Sequence, residues 1–128
     1  MTPTEAAAST WLVRERGYDP EAVAFQYRTS PDFRTSDGRG WEVKRVVRGR
    51  TTFYLSQLVI FRKHAPTVLF WADGQDEPIA ESDFRALPMP GTWDGLRIYV
   101  WHQPRYALPH PLHSAASVEA AIAAEAVA

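Results

Sequence analysis

The pattern of apolar and polar positions changes several times along this chain, and the first pattern is helical. Trp11 and Leu12 fall with other apolar residues on one face at helical spacing. Thr2 followed by Glu5 fits a capping box, and Gly17 is a residue type at which helices commonly end. The first segment is therefore predicted to be a helix between Thr2 and Gly17.

Alternation of apolar and polar residues then predicts three consecutive strands, at residues 22–29, 31–36 and 40–47. Asp37-Gly38 lies between the second and third strands and is a strong signal for a hairpin turn. In the first strand, alternation places Tyr27 on the apolar face. The chain is thus expected to fold back on itself twice in this region.

The rest of the chain is predicted to add a second helix and two more strands. Residues 51–64 begin with strand-like composition and continue as a helix from about Ser56. Residues 67–72 are almost all apolar, as in a central strand covered on both faces, and residues 96–101 alternate as a last strand. Residues 79–87 fit a short helix or an ordered loop. The order α-β-β-β-α-β-loop-β predicts an α/β protein with one mixed sheet flanked by helices.

The end of the chain differs in composition from the part before it. Residues 1–103 are long enough to form one domain, residues 104–113 are rich in proline and are interpreted as a linker, and residues 114–128 are predicted to form an alanine-rich helix. The pattern leaves open whether this helix packs on the domain, pairs with a second copy, or frays.

Composition excludes several classes of protein. The chain has no cysteine, which excludes disulfides, thiol catalysis and cysteine-based zinc sites. It has no P-loop, no Gly-x-Gly-x-x-Gly and no Gly-x-Ser-x-Gly, so nucleotide binding of those kinds and hydrolases with that serine motif are not expected. No apolar run approaches the roughly 18 residues of a transmembrane helix, and the start does not resemble a signal peptide. We therefore expect a soluble, cytoplasmic protein with no membrane partner.

Charge is distributed unevenly along the chain. Between Arg28 and Lys63 there are nine basic and three acidic residues, a net charge of +6, whereas the whole chain has a net charge of −1. Such a concentration of positive charge is what phosphate binding requires. A solvated, arginine-rich hairpin is the alternative interpretation.

Three charged residues are predicted to meet at the hairpin. Side chains alternate along a strand, so Glu42 and Lys44 share one face while Trp41 and Val43 share the other. The hairpin can bring Asp32 to the charged face. Two carboxylates can bind a hard divalent cation through oxygen, and a lysine can activate water or stabilise a developing anion.

These residues resemble the motif of the PD-(D/E)XK nuclease superfamily, whose fold is the restriction-endonuclease-like fold. Pro31-Asp32 matches the PD, and Glu42-Val43-Lys44 matches the (D/E)XK. Glu5, followed by the apolar pair Trp11-Leu12 and the exit Gly17-Tyr18, is similar to the first helix of the Holliday-junction-resolvase-like branch, which includes small archaeal and viral nucleases. The resemblance covers roughly residues 5–101.

The resemblance implies a role for each residue at the site. Mg²⁺, for which Mn²⁺ would substitute, would be bound by these groups: Asp32, Glu42, the Val43 carbonyl and Glu5. Lys44 would orient or deprotonate the attacking water, and Gln57 would position Lys44 or that water. The DNA backbone would be held by four arginines: Arg39, Arg45, Arg48 and Arg50.

Simpler interpretations remain for several of these residues. Glu5 has a sufficient explanation as a helix cap, and Gln57 as a residue that bonds to backbone at a helix start. An exposed basic turn is often only solvated. His110 and His113 have i,i+3 spacing, but they lie among prolines with no carboxylate near in sequence, which does not support a metal site.

The function expected from the sequence is therefore hydrolysis of DNA phosphodiester bonds by a metal-dependent nuclease. A chain this short has no separate recognition domain, which favours a structure-selective endonuclease or nickase acting in DNA repair, recombination or viral replication, with a homodimer left open. One alternative is a non-catalytic nucleic-acid-binding module on a nuclease-like fold. Another is a protein-interaction domain in which Glu42 and Lys44 form an ordinary ion pair on the strand surface.

Overall fold

The computed structural model describes residues 1–126, which contain three α-helices and nine β-strands. Short 3₁₀ turns at Pro20–Ala22 and Phe84–Ala86 separate some of these elements. In chain order the helices and strands are α1 (Pro3–Arg16), β1 (Val23–Phe25), β2 (Phe33–Thr35), β3 (Gly40–Val46), β4 (Arg50–Tyr54), α2 (Leu55–Lys63), β5 (Thr67–Ala72), β6 (Ala80–Asp83), β7 (Gly91–Trp93), β8 (Leu96–His102), β9 (His110–Leu112) and α3 (Ala115–Ala126).

The first sheet has five strands in the order β1-β2-β3-β5-β6. β3 and β5 are parallel, in register from Trp41 opposite Thr67 to Val46 opposite Ala72, and the other neighbours are antiparallel. A parallel pair needs a crossover between its strands, and here the crossover contains β4 and α2. β3 is therefore a central strand of a mixed sheet.

The second sheet has four strands built around β8. β4 lies parallel to one side of β8, while β7 and β9 pair antiparallel with successive stretches of the other side. The prediction of an α/β protein is confirmed, but its strands form two mixed sheets rather than one. The chain leaves β3 through a tight turn in which Val47 pairs with Arg50, and the following strand then pairs with β8 instead of extending the first sheet.

Both faces of β5 are buried, because the two apolar clusters formed by residues 1–126 lie on opposite sides of it. Leu69 and Trp71 pack with α1 and Trp41 on one side. Val68 and Phe70 pack with α2, β4 and β8 on the other side. By register, the Glu42–Lys44 face of β3 points toward this second cluster, so a strand face that alternates as if it were solvated is enclosed.

The first helix is confirmed in its limits and its cap. The Thr2 hydroxyl accepts a hydrogen bond from the Glu5 N–H at 3.1 Å, and the Glu5 carboxylate accepts one from the Thr2 N–H at 2.7 Å. Gly17 ends the helix with φ of 73°, a conformation that favours glycine. The capping interpretation of Glu5 therefore holds in the structure.

The first predicted strand is shorter than expected. β1 ends at Phe25, and the Gln26 N–H donates to the Asp32 carbonyl at 2.8 Å, which closes a loop instead of continuing the strand. The placement of Tyr27 on the apolar face was wrong, since this side chain is 68% exposed. Arg28 follows it with φ of 59°.

The later predictions differ in detail. The second helix begins at Leu55, one residue before Ser56, and its extended entry is the complete strand β4. Residues 79–87 contain strand β6 and a 3₁₀ turn rather than a helix or loop alone.

The C-terminal helix packs on the domain. Val118 is fully buried in the second cluster, and Arg62 on α2 forms an ion pair with Glu119. Part of the proline-rich stretch forms β9, paired with β8. Residues 127 and 128, which the helix prediction included, lie outside the described residues. None of the helices in residues 1–126 has the length and apolar character needed to cross a membrane.

Candidate active site

The hairpin of β2 and β3 brings two carboxylates together. Phe33 pairs with Trp41, so Asp32, one residue before β2, lies beside Glu42. The Asp32 N–H donates to the Glu42 carboxylate at 3.2 Å, and the Val43 N–H donates to the Asp32 carboxylate at 2.8 Å. The backbone of each motif thus fixes the carboxylate of the other. The sequence-based expectation that Asp32 lies beside the charged face is confirmed by these contacts.

Lys44 lies on the same face as Glu42, enclosed by β4 and α2. Its ammonium donates to the Gln57 side-chain oxygen at 2.7 Å and to the Thr52 carbonyl at 2.9 Å. The nitrogen lies 3.7 Å from the Glu42 carboxylate and 4.4 Å from the centre of the Phe53 ring. The ammonium therefore has two hydrogen-bond acceptors, one carboxylate and one aromatic face around it.

Gln57 connects the lysine to the carboxylate. Its side-chain oxygen accepts from both the Lys44 ammonium and the Tyr54 N–H, the latter at 3.1 Å, and its nitrogen donates to Glu42 at 3.0 Å. An ammonium and an N–H can only donate, so these partners determine which way the amide points. Gln57 is thus a bridge, not a residue that bonds to backbone alone.

Burial sets the protonation chemistry of the site. Glu42 is 2% exposed and Lys44 is 8% exposed. Burial, opposed by Lys44 and reinforced by Asp32, raises the pKa of Glu42 to about 8. Burial also raises the pKa of Asp32 to about 6 and lowers the pKa of Lys44. Each group is therefore shifted toward its neutral form, because burial disfavours the charged forms and the attraction among the groups does not fully compensate.

The cluster is open to solvent on one side, through a cleft of about 590 Å³. Asp32, Glu42 and Lys44 line this cleft together with Val43 and Gln57. The N-terminal turn of α1, from Thr2 to Glu5, forms one wall, and residues 73–75 after β5 contribute another part of the lining. The buried charges are thus reachable by a substrate.

Glu5 lines the cleft but is engaged at its own helix. Its carboxylate accepts the Thr2 N–H, while its charge is near enough to raise the pKa of Asp32. The role of Glu5 as a metal ligand stays a prediction.

The oxygen atoms at the site fit a hard divalent cation. Asp32 and Glu42 supply carboxylate oxygens on one side of the cleft. The Val43 carbonyl leaves β3 on the same edge as the Val43 N–H, which faces Asp32. Mg²⁺ favours oxygen and keeps several waters, so it does not require a full protein cage. Within residues 1–126, no group of three His, Cys, Asp or Glu side chains is close enough to hold a metal ion, so the carbonyl is the third donor available.

The four predicted DNA-binding arginines do not all lie at the cleft. Arg45 lines it, but its guanidinium forms two hydrogen bonds with Asp73, at 2.7 and 2.5 Å. Arg39 lies 4.2 Å over the Trp41 ring and does not line the cleft. Arg48 lies in the turn between the two sheets and Arg50 begins β4, and both lie outside the cleft lining.

Asp73 is a site residue that the sequence did not indicate. It follows β5 directly and reaches Arg45 near the end of the parallel strand β3. The signal was present, since parallel neighbours end at the same edge of a sheet, but it could be used only once β3 and β5 were known to be neighbours.

No protein-family model, no curated protein and no solved structure matches this chain.

Proposed function

We propose that this protein is a metal-dependent nuclease of the PD-(D/E)XK type, which hydrolyses phosphodiester bonds in DNA. The observation that carries the proposal is the meeting of half-buried Asp32 with buried Glu42 and Lys44 at the floor of an open cleft, with Gln57 bridging the last two. Clusters of ionisable groups with shifted pKa in a cleft are typical of catalytic sites.

A purely structural role explains this cluster poorly. The pair of Glu42 and Lys44 is buried, so it is not the ordinary surface ion pair of the protein-interaction alternative. Buried ion pairs are weak evidence for stability, since apolar replacements of similar volume are often neutral or stabilising. The raised pKa values of Asp32 and Glu42 mean that the fold disfavours both carboxylates in the charged state.

The topology supports the same proposal. Helix α1 is followed by the antiparallel strands β1, β2 and β3, and then by α2 and a strand, β5, parallel to β3. This is the α-β-β-β-α-β order that the sequence resemblance implies. Strand β4 and the second sheet are additions to that order.

The chemistry follows from the positions of the side chains. Bound by Asp32, Glu42 and the Val43 carbonyl, Mg²⁺ would neutralise phosphate charge and make a water more acidic. Lys44, with its lowered pKa, can accept a proton from the attacking water or stabilise the phosphorane as an ammonium. Gln57 holds the Lys44 nitrogen in place. The water oxygen forms a bond to phosphorus and gives up a proton, either to neutral Lys44 or to solvent, as the bond from phosphorus to the leaving ester oxygen breaks and that oxygen takes up a proton from solvent.

The substrate is expected to be chosen by shape and not by base sequence. Arg45 is the one arginine that lines the cleft in residues 1–126, and backbone contacts from arginine position a duplex without reading it. A structure-selective endonuclease or nickase therefore fits best.

The test is cleavage of a labelled DNA panel of single strand, duplex, nicked duplex, flap and four-way junction, with Mg²⁺ or Mn²⁺ and with EDTA. Glu42→Ala and Lys44→Ala are compared with Glu21→Ala and Lys63→Ala, which remove the same groups from exposed positions. Circular dichroism confirms that each variant is folded.

We expect cleavage that EDTA and both site variants abolish and that both control variants retain. Folded wild-type protein that cleaves no panel member would overturn the proposal. Binding without cleavage would favour the non-catalytic DNA-binding module instead.

A further inference from the structure

The outer face of the second sheet, away from the apolar core, carries arginines and aromatic residues. Side chains alternate along β4 and β8, and the inward members, such as Phe53 and Val100, are buried. The outward members are exposed or half-buried. The five of interest, called here the outer face, are Arg50, Tyr54, Arg97, Tyr99 and Trp101.

The two arginines lie directly beside each other. Arg50 of β4 is the register partner of Arg97 of β8, and both are exposed. Like charges on neighbouring strands destabilise a sheet. No carboxylate within residues 1–126 lies within salt-bridge distance of either guanidinium. The fold thus keeps an uncompensated pair of positive charges that its stability does not explain.

A third arginine joins this pair at the turn. Arg48 has φ of 54°, a conformation that is uncommon for residues with a side chain, and the Gly49 carbonyl beside it accepts the Arg97 N–H at 2.8 Å. Arg48 likewise forms no ion pair within the described residues. Three positive charges with no acidic partner complement a phosphate backbone.

Aromatic rings continue from the arginines along the same face. The Arg97 guanidinium lies 5.4 Å from the Tyr99 ring centre, and Tyr99 is followed on that face by Trp101. Tyr54, opposite Trp101, is 47% exposed. Rows of aromatic rings beside arginines are how many proteins hold unpaired bases, because every base has a face that stacks.

The outer face adjoins the candidate active site through β4. The Thr52 carbonyl accepts the Lys44 ammonium, and the Tyr54 N–H donates to Gln57. A nucleic-acid strand held on β4 would therefore lie on the strand whose backbone contacts Lys44 and Gln57.

We propose that the outer face, together with Arg48 in the adjoining turn, binds a single-stranded segment of nucleic acid. Its phosphates would lie on Arg48, Arg50 and Arg97, and its bases on Tyr54, Tyr99 and Trp101. The inference rests on the proposed function for the choice of nucleic acid as ligand. It adds that the preferred substrate has an unpaired segment next to the bond that is cut.

The test is fluorescence anisotropy with a labelled single-stranded oligothymidine in EDTA, where no cleavage interferes, and with an unlabelled duplex as competitor. The double variant Arg50→Gln/Arg97→Gln is compared with Arg34→Gln/Arg85→Gln, which removes the same charge from two exposed arginines elsewhere. Tyr54→Leu tests stacking at the most exposed ring.

We expect the first double variant to weaken binding at least about tenfold and to reduce the salt slope by about 1.4, or roughly 0.7 for each phosphate that no longer meets an arginine. The control should weaken binding less than about threefold. Tyr54→Leu should weaken it at least about fivefold and leave the salt slope unchanged. The melting temperature of Arg50→Gln/Arg97→Gln should not fall, because like charges are removed.

Wild-type protein that fails to retain the oligothymidine at low salt, or a double variant that binds no worse than its control, would overturn the inference. These outcomes are separate from the nuclease test. If the double variant loses binding and the wild type does not cleave DNA, the binding role of the outer face is supported and the proposed nuclease activity is overturned. If the wild type cleaves DNA in a metal-dependent way and the double variant binds as well as its control, the nuclease activity is supported and the binding role of the outer face is overturned.

Discussion

Strand β3 contributes one residue to an exposed ion pair and two residues to a buried ion pair. The pair with the shorter distance is the one that is more exposed to solvent. Arg45 and Asp73, at the mouth of the cleft, approach to 2.5 Å, and their side chains are 62% and 57% exposed. Glu42 and Lys44, at its floor, are 3.7 Å apart and almost completely buried. In the pair with the shorter distance, Arg45 and Asp73, water can take the place of either partner.

The pKa shifts of the two pairs have opposite signs. Hydrogen bonding to Arg45 lowers the pKa of Asp73, so this pair is stabilised in its charged state. Burial raises the pKa of Glu42 and lowers the pKa of Lys44, so the floor of the cleft disfavours charge. The distance between the charged groups therefore does not show which pair favours its charged state. Solvent exposure decides this, because burial disfavours charged forms. The shifted pKa values of Glu42 and Lys44 suit proton transfer, whereas Arg45 and Asp73 can exchange partners with solvent or with a ligand.

The largest difference between the pairs should appear when the cation is removed from each. Lys44→Met removes the cation beside the buried Glu42 carboxyl and the half-buried Asp32 carboxyl. It should lower the free energy of unfolding by at most about 3–5 kcal/mol, because the raised pKa of Glu42 lets this carboxyl become neutral by taking up a proton. Arg45→Met should change it little, since its partner is solvated. Urea denaturation at neutral pH in EDTA measures both, and similar losses from the two variants would contradict the distinction.

The pH dependence of stability should come mainly from the buried pair. Because the folded-state pKa of Glu42 is about 8, above its unfolded value of 4.5, the folded protein binds more protons between these values. The stability of the metal-free protein should therefore be greatest at the acid end of this window and fall as pH rises toward 8, with each pKa unit corresponding to about 1.4 kcal/mol.

Thermal unfolding in EDTA from pH 5 to 8 tests this sign. Glu42→Gln, which cannot titrate, should flatten the curve, while Asp73→Asn should leave it unchanged. If the stability of the wild type rises from pH 5 to 8, burial does not disfavour the Glu42 carboxylate in the folded protein.

Gln57 should have an intermediate effect, because it has no charge but serves both members of the buried pair. Gln57→Leu leaves the Lys44 ammonium and the Glu42 carboxylate each without one hydrogen bond and should cost about 1–3 kcal/mol. Gln103→Leu, an exposed glutamine, is the matched control. Equal melting temperatures for the two variants would argue against the bridge.

The smallest effect is expected at the mouth of the cleft. Asp73→Asn releases the Arg45 guanidinium for phosphate and should tighten DNA binding a few-fold, with a salt slope steeper by about 0.7–0.9. Anisotropy in EDTA measures it. Unchanged affinity would show that Arg45 does not contact the DNA.

Elements set by local signals were predicted correctly from the sequence. The cap of α1 depends on Thr2 and Glu5, three residues apart, and the hairpin depends on Asp37-Gly38, where Gly38 takes φ of 86°. The closeness of Asp32 to Glu42 follows from that hairpin. Each of these depends on residues within about a dozen positions of one another.

Features that depend on distant pairing were not predictable. The partner of β4 is β8, more than forty residues later, and nothing near Thr51 indicates a second sheet. The alternation in β3 shows that Glu42 and Lys44 share a face, but it does not show that α2 and β4 enclose this face. Tyr27 fits a strand by composition, but a hydrogen bond from Gln26 to Asp32 ends that strand early.

The most direct test of the central claim compares the two pairs in catalysis. Mg²⁺-dependent cleavage of the preferred panel substrate is measured for wild type, Glu42→Gln and Arg45→Gln. We expect Glu42→Gln to lower the rate by at least about a hundredfold, and Arg45→Gln by less than about tenfold with the loss largely reversed at low salt. Equal losses, or no cleavage by folded wild-type protein, would contradict the assignment of the buried pair as the catalytic centre.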